Sequence, residues 1–388
     1  MISGLLSRPL ILLAMPPVMP PFDPLGYPVP PWILQAISYL TLSLHLLAMN
    51  FTVGGVILLL WTYFRKKPGH EGVAYFFGSS LPLGVSYIIT LGIPPLLIIQ
   101  VLYGQMFYSS SVLLGSFWIQ VIPLLIIAYS LLYYHKFSRE KRPGLQWLIV
   151  ALALPIFFYI EFIFVNNLTL VMTPEHWLDL YAVHPGGGIL THGEPTIHPR
   201  YLLFIGGAFA AAGLAVIWRG AFLIKWGYKT IGRKSQAFGF RVMLITPVLW
   251  AIAAIGLYFA RPVNIAEMLQ EKAVIILLII GVIGGVAAAI FAFLSIGKQK
   301  MTFPLLASFG LFAVVACMVI FRDLVRLRQL QPYFDMAAVP VHPQWGMFAI
   351  FMAALVAGVA LLVMLSIRVF PNLSSQARER LAKILPAE

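Results

Sequence analysis

The sequence predicts an all-α integral membrane protein of about nine transmembrane helices, with its N-terminus outside and its C-terminus in the cytoplasm. Three observations predict it. Of the 388 residues, 61% are hydrophobic and only 10% are charged, whereas soluble domains carry roughly 25% charged residues. Nine stretches are long and apolar enough to cross hydrocarbon, which takes about 20 residues per helix. The basic residues alternate between the connections. Those after the first, third, fifth and seventh stretches, with the C-terminal tail, hold 19 of the 26 Lys and Arg, and positive residues resist translocation.

Taken in order, residues 1–32 form a Pro-rich extracytoplasmic arm, with eight prolines between Pro16 and Pro31. Such a composition favours an extended segment on a surface or partner. The apolar run at 9–15 is too short to span and has no convincing cleavage site after it, so the arm reads as retained. The transmembrane domain covers 33–370, with spans at about 33–64, 80–104, 112–134, 147–172, 200–224, 240–260, 273–297, 303–321 and 344–369. Two long polar interruptions, 174–199 and 322–343, fall on the outer side, and 371–388 is a cytoplasmic tail.

The 26 Lys and Arg exceed the 13 Asp and Glu. They lie between apolar stretches rather than on a soluble basic face, which excludes nucleic acid as partner. Cys317 is the single cysteine. It excludes internal disulfides, Cys-ligated zinc and covalently attached c-type haem, so c-type haems belong to a partner. The connections on the cytoplasmic side carry no Gly-rich phosphate loop, which argues against an ATP-driven machine.

Titratable residues inside spans are functional candidates because their burial in hydrocarbon is costly. His45, about 13 residues into the first span, has two readings. It is either an axial ligand for a non-covalent haem, and so the metal-binding candidate, or a neutral imidazole bonded to a neighbouring helix. Gly54 and Gly55 further along could admit a flat macrocycle or another helix. Glu161 lies at similar depth in the fourth span, and a quinol proton, a porphyrin and a helix partner are all open to it. On the outer side, 174–199 holds His176, His184, His192 and His198 without a recognised metal-ligand spacing. Arg322, Asp323, Arg326, Arg328 and His342 follow the eighth span, a cluster suited to haem propionates, a quinone headgroup or a docking partner, or else solvated charge at a helix end. His135 reads as interfacial, beside Lys136 and Arg139.

Gly92-Ile93-Pro94-Pro95, Gln100, Tyr103-Gly104-Gln105 and Tyr108 in order resemble the Gly-Ile-Pro…Gln…Gly…Tyr signature of the quinol-oxidising subunit I of cytochrome bd oxidases. The His45 context and the Asn166-Asn167…Met172…Pro174 stretch resemble it too. His198-Pro199-Arg200-Tyr201 is similar to cytochrome bd-like membrane proteins that accompany multihaem c-type cytochromes. The chain departs from subunit I where a haem-ligating His is expected in the fifth span. Leu203 stands there, with His198 five residues away. The loop after the sixth span is reduced to 261–272.

The resemblance implies a subunit I-like bundle in a bacterial inner membrane, within a quinol:cytochrome c-type oxidoreductase complex that has other membrane subunits. Haem b on His45 and quinol would be its cofactors. Electrons would pass to an extracytoplasmic multihaem c-type cytochrome. Glu161, Gln100 and Arg322 are the quinol-pocket candidates, and His198 and Arg326 join His45 as cofactor-binding candidates. A haem-free anchor for a redox partner, a terminal oxidase subunit and a transporter are the rival functions.

Overall fold

A computed structural model describes residues 20–21, 23–65, 70–191, 193–261 and 263–384. Among these, nine helices are long and apolar enough to cross a membrane: Pro31–Phe64, Gly72–Leu102, Gly115–Ser138, Pro143–Val171, Ile197–Lys225, Lys229–Ala260, Lys272–Leu294, Thr302–Leu330 and Trp345–Arg368. They are called spans one to nine. The chain is thus a multi-pass membrane protein. Most of the arm, together with His192, lies outside the described residues. The end of the bundle bearing Tyr27, Tyr103 and the segment 331–344 is called the outer end, following the charge alternation, and the opposite end the basic end.

Span one is the hub, packing against spans two, four, five and eight. Its inner half touches its neighbours through small residues. A Cβ on Gly54 would lie 2.0 Å from the Ala208 carbonyl oxygen of span five, and one on Gly55 would lie 2.7 Å from Phe77 and Leu81 of span two. Both glycines therefore serve helix packing, where dispersion contacts hold helices together in lipid. Span two continues through Pro82, Pro94 and Pro95, as membrane helices can when neighbours re-satisfy the freed carbonyls.

Several boundaries differ from the sequence reading: spans two and six begin earlier, at Gly72 and Lys229, and two further shifts move candidate residues. Span eight runs on to Leu330, so Arg322, Asp323, Arg326 and Arg328 occupy its last turns rather than an outer loop. Leu324, Val325 and Leu327 continue its apolar face there, and Asp323 pairs with Arg326 one turn on at 2.9 Å, which lets a charged stretch stay helical and buried. Span three reaches Ser138, and this draws His135 inside. Only 1% exposed, it is no interfacial residue. Its Nε2 lies 2.7 Å from the Tyr63 hydroxyl.

Before span one, the chain pairs with the connection between spans eight and nine. Tyr27 N donates to the Pro340 oxygen at 2.8 Å, and His342 N donates back to the Tyr27 oxygen at 2.9 Å. The Tyr27 hydroxyl donates to the Leu102 carbonyl at 3.0 Å. Gly26 makes the approach possible: its φ is +61°, and a Cβ would lie 2.2 Å from the Pro340 oxygen.

Candidate functional site

Beneath the outer end, polar side chains from four spans and from the break after span two converge where packing is loose. All residues from Leu44 to Met49 on span one keep partial exposure, as do Pro199 to Ile205 on span five. Each run exceeds one helical turn, so neither helix is sealed even on the faces turned to its neighbours. One turn deeper, Gly54 and Ala208 close the gap.

His45 sits in this loose layer. Its Nδ1 is 2.9 Å from the Ile88 carbonyl of span two. A carbonyl only accepts, so Nδ1 carries the proton and the neutral ring keeps its lone pair on Nε2. Nε2 has no hydrogen-bond partner among the described residues, and of the two nitrogens it lies farther from span two. A Cβ on Gly92 would be 2.8 Å from Nδ1 and 3.6 Å from Nε2. Only a residue without a side chain allows the ring so close.

Span eight supplies the charge. The buried Asp323 carboxylate accepts from the Tyr39 hydroxyl at 2.7 Å, the Gln35 amide at 3.3 Å, the Tyr103 hydroxyl at 3.0 Å and Arg326 Nη1 at 2.9 Å. The Arg326 guanidinium also lies over the Tyr103 ring, 4.8 Å from its centre, while its buried Nε has no partner. Arg322 makes no hydrogen bond or ion pair among the described residues, and it stands within electrostatic reach of His45, Arg200 and Arg326. Arg200 donates to the Thr169 hydroxyl at 3.1 Å. Three guanidinium groups therefore share two carboxylates, Asp323 and Glu194, an excess of positive charge that favours an anionic group between them.

The structure thus brings together His45, Arg322 and Arg326, and adds Arg200, Asp323, Tyr39 and Tyr103. Glu161 borders the group. Buried on span four, with Oε1 unpartnered, it lies in electrostatic reach of Tyr201 next to Arg200. Gln100 stands apart, donating to the Leu96 carbonyl at 3.1 Å and accepting from Tyr108 at 3.1 Å. His198 is exposed on the first turn of span five. No group of three or more His, Cys, Asp and Glu converges among the described residues. The Asp323 cluster left one trace in the sequence, the Asp-x-x-Arg spacing of a helical pair. Its partners Tyr39 and Tyr103 left none.

The outer surface is acidic because Arg200, Arg322 and Arg326 turn inward, while Arg261 and Arg328 stay at the surface. Asp23, Glu175, Asp179, Glu267, Glu271 and Asp335 are exposed there, against Lys272. Glu271 pairs with Arg328. Beside that pair lies a cavity of about 420 Å³ lined by Glu267, Arg328, Gln331 and Pro332. Burial, and then the neighbouring Glu175 carboxylate, push the Tyr333 phenol above its ordinary range.

No protein-family model matches the chain. No curated protein matches it. Among solved structures, it is similar to bd oxidase from Geobacillus thermodenitrificans, with a TM-score of 0.64 and 14% identity, covering 90% of this chain and 99% of that one. At that identity the likeness shows the fold, a cytochrome bd-like bundle.

Proposed function

We propose that the chain is the membrane subunit of a respiratory quinol:cytochrome c-type oxidoreductase complex, exchanging electrons between the quinone pool and haems of an extracytoplasmic multihaem cytochrome. The observation that carries this reading is His45, its Nε2 uncommitted in a loose interhelical layer beside the unpaired Arg322. These residues fit a b-type haem. A bond from Nδ1–H to a carbonyl is the outer-shell contact that orients a ligating imidazole, and Arg200, Arg322 and Arg326 could neutralise propionates. Bound there, haem would supply a one-electron carrier.

The chain's own residues do the rest. Arg322, and Glu161 through its unpartnered oxygen, stand where a quinol hydroxyl could be held, and Asp323 fixes Arg326 against Tyr103. The acidic outer surface suits a partner with a basic edge, since complementary charge speeds and orients encounter.

A haem-free anchor is the second reading, favoured by Leu203 in the expected ligand place and by the single histidine among the described residues of the layer. One experiment decides between them. The purified chain should give a b-type pyridine haemochromogen spectrum, and His45→Ala should abolish it while leaving membrane insertion intact. Absence of the spectrum from the unmodified chain favours the anchor. An unchanged spectrum in the variant rejects His45 as ligand.

A further inference from the structure

Spans six and seven meet at the basic end and part toward the outer end. Met243 belongs to one buried cluster with Ala288 and Ala292, and the rings of Phe240 and Phe293 lie 5.5 Å apart. Beyond this junction, Val248 and Ile252 of span six and Val286 and Ile290 of span seven are exposed.

A basic rim lies on the other side of this junction. The buried Gln236 of span six donates from Nε2 to the Lys298 carbonyl at 3.3 Å and accepts from Gly297 N at 2.8 Å. These two neutral bonds fasten the turn after span seven onto span six. They seat Gly297 so close to Arg233 that a Cβ there would lie 3.7 Å from the Arg233 Cδ. Arg233, Lys234, Lys298 and Lys300 are all exposed, and neither 225–241 nor 295–301 contains an Asp or Glu. Orientation in the bilayer requires basic residues on this side. It does not require that two connections be fastened together so that Arg233 and Lys298 stand at one corner, with Lys298 Nζ over the Phe303 ring at 4.9 Å.

We propose that this corner binds an anionic phospholipid, its phosphate held by Arg233 and Lys298 and its acyl chains lying in the groove between spans six and seven. Basic residues between membrane helices on the cytoplasmic side suit such headgroups, and the adjoining apolar walls suit the chains. The ligand is a lipid rather than a soluble phosphate because exposed apolar residues continue from the rim along both spans, through Leu244 and Phe293 at the junction to Val248 and Ile290 beyond it.

The test uses the full chain, purified in detergent and titrated in turn with phosphatidylglycerol, phosphatidylcholine and glycerol 3-phosphate, with the thermal midpoint and the lipid retained in native mass spectrometry as readouts. Phosphatidylglycerol should raise the midpoint and stay bound. The other two should do neither. The double variant Arg233→Gln/Lys298→Gln should bind phosphatidylglycerol at least ten-fold more weakly, whereas Lys141→Gln/Arg142→Gln, which removes exposed bases elsewhere at the same end, should match the unmodified chain. Equal protection by phosphatidylcholine, protection by glycerol 3-phosphate alone, full binding by the first variant or an equal loss in the second would each overturn the site.

Discussion

Asp323 gathers side chains from span one, from the break after span two and from its own helix onto its two oxygens. Removing one partner of a buried ion pair costs about 3–5 kcal/mol because the other charge is stranded. Asp323→Ala should therefore destabilise the chain by that order, and Tyr39→Phe by about 1.5–3 kcal/mol, the value of a bond to a charged group. Denaturant unfolding in detergent checks both, and equal small losses would show that water replaces the carboxylate. Individual residues were legible in unequal measure. The depth of His45 could be counted from the start of its span, but its bond to Ile88 depends on a second helix. Arg322 and Arg326 were visible as a basic cluster, yet hydropathy falls at Arg322 and so hid that the helix carries them inward.

At the scale of elements, the contact between spans one and five rests on the absence of a side chain. Gly54→Ala would set a methyl group 2.0 Å from the Ala208 oxygen, while a Cβ on Gly144 meets nothing within 4 Å. The first change should cost about 1–3 kcal/mol through overpacking, and Gly144→Ala should cost less. Thermal midpoints of the two variants, measured side by side, test the difference. All nine spans were legible, because hydrocarbon requires long apolar runs. Their ends were not: polar residues at a helix end look the same whether they meet water or a neighbour. Span eight shows this through Asp323, and span three through His135, which is buried against Tyr63.

For the whole molecule, the alternation of basic connections predicts which residues share a side. With Cys317 buried, Glu175→Cys should react with a membrane-impermeant maleimide from outside intact cells, and Lys298→Cys only after permeabilisation. The reverse pattern would invert the topology. The bundle's charge is sorted in depth as well as across the membrane, because Arg200, Arg322 and Arg326 face inward and leave an acidic outer surface. Counting charges along the chain could not show this, since a count records the side of the membrane and not the direction of a side chain.

The clasp between Tyr27 and Val341 sets an order of assembly. Tyr27 leaves the ribosome before the segment that receives it, which follows roughly 300 residues later, a delay of about 15–60 s at 5–20 residues per second. Throughout that interval Tyr27 has no backbone partner, and its closure onto Pro340 and His342 marks the moment when the last connection has crossed. Protease resistance of the arm during synthesis would therefore time the completion of the bundle.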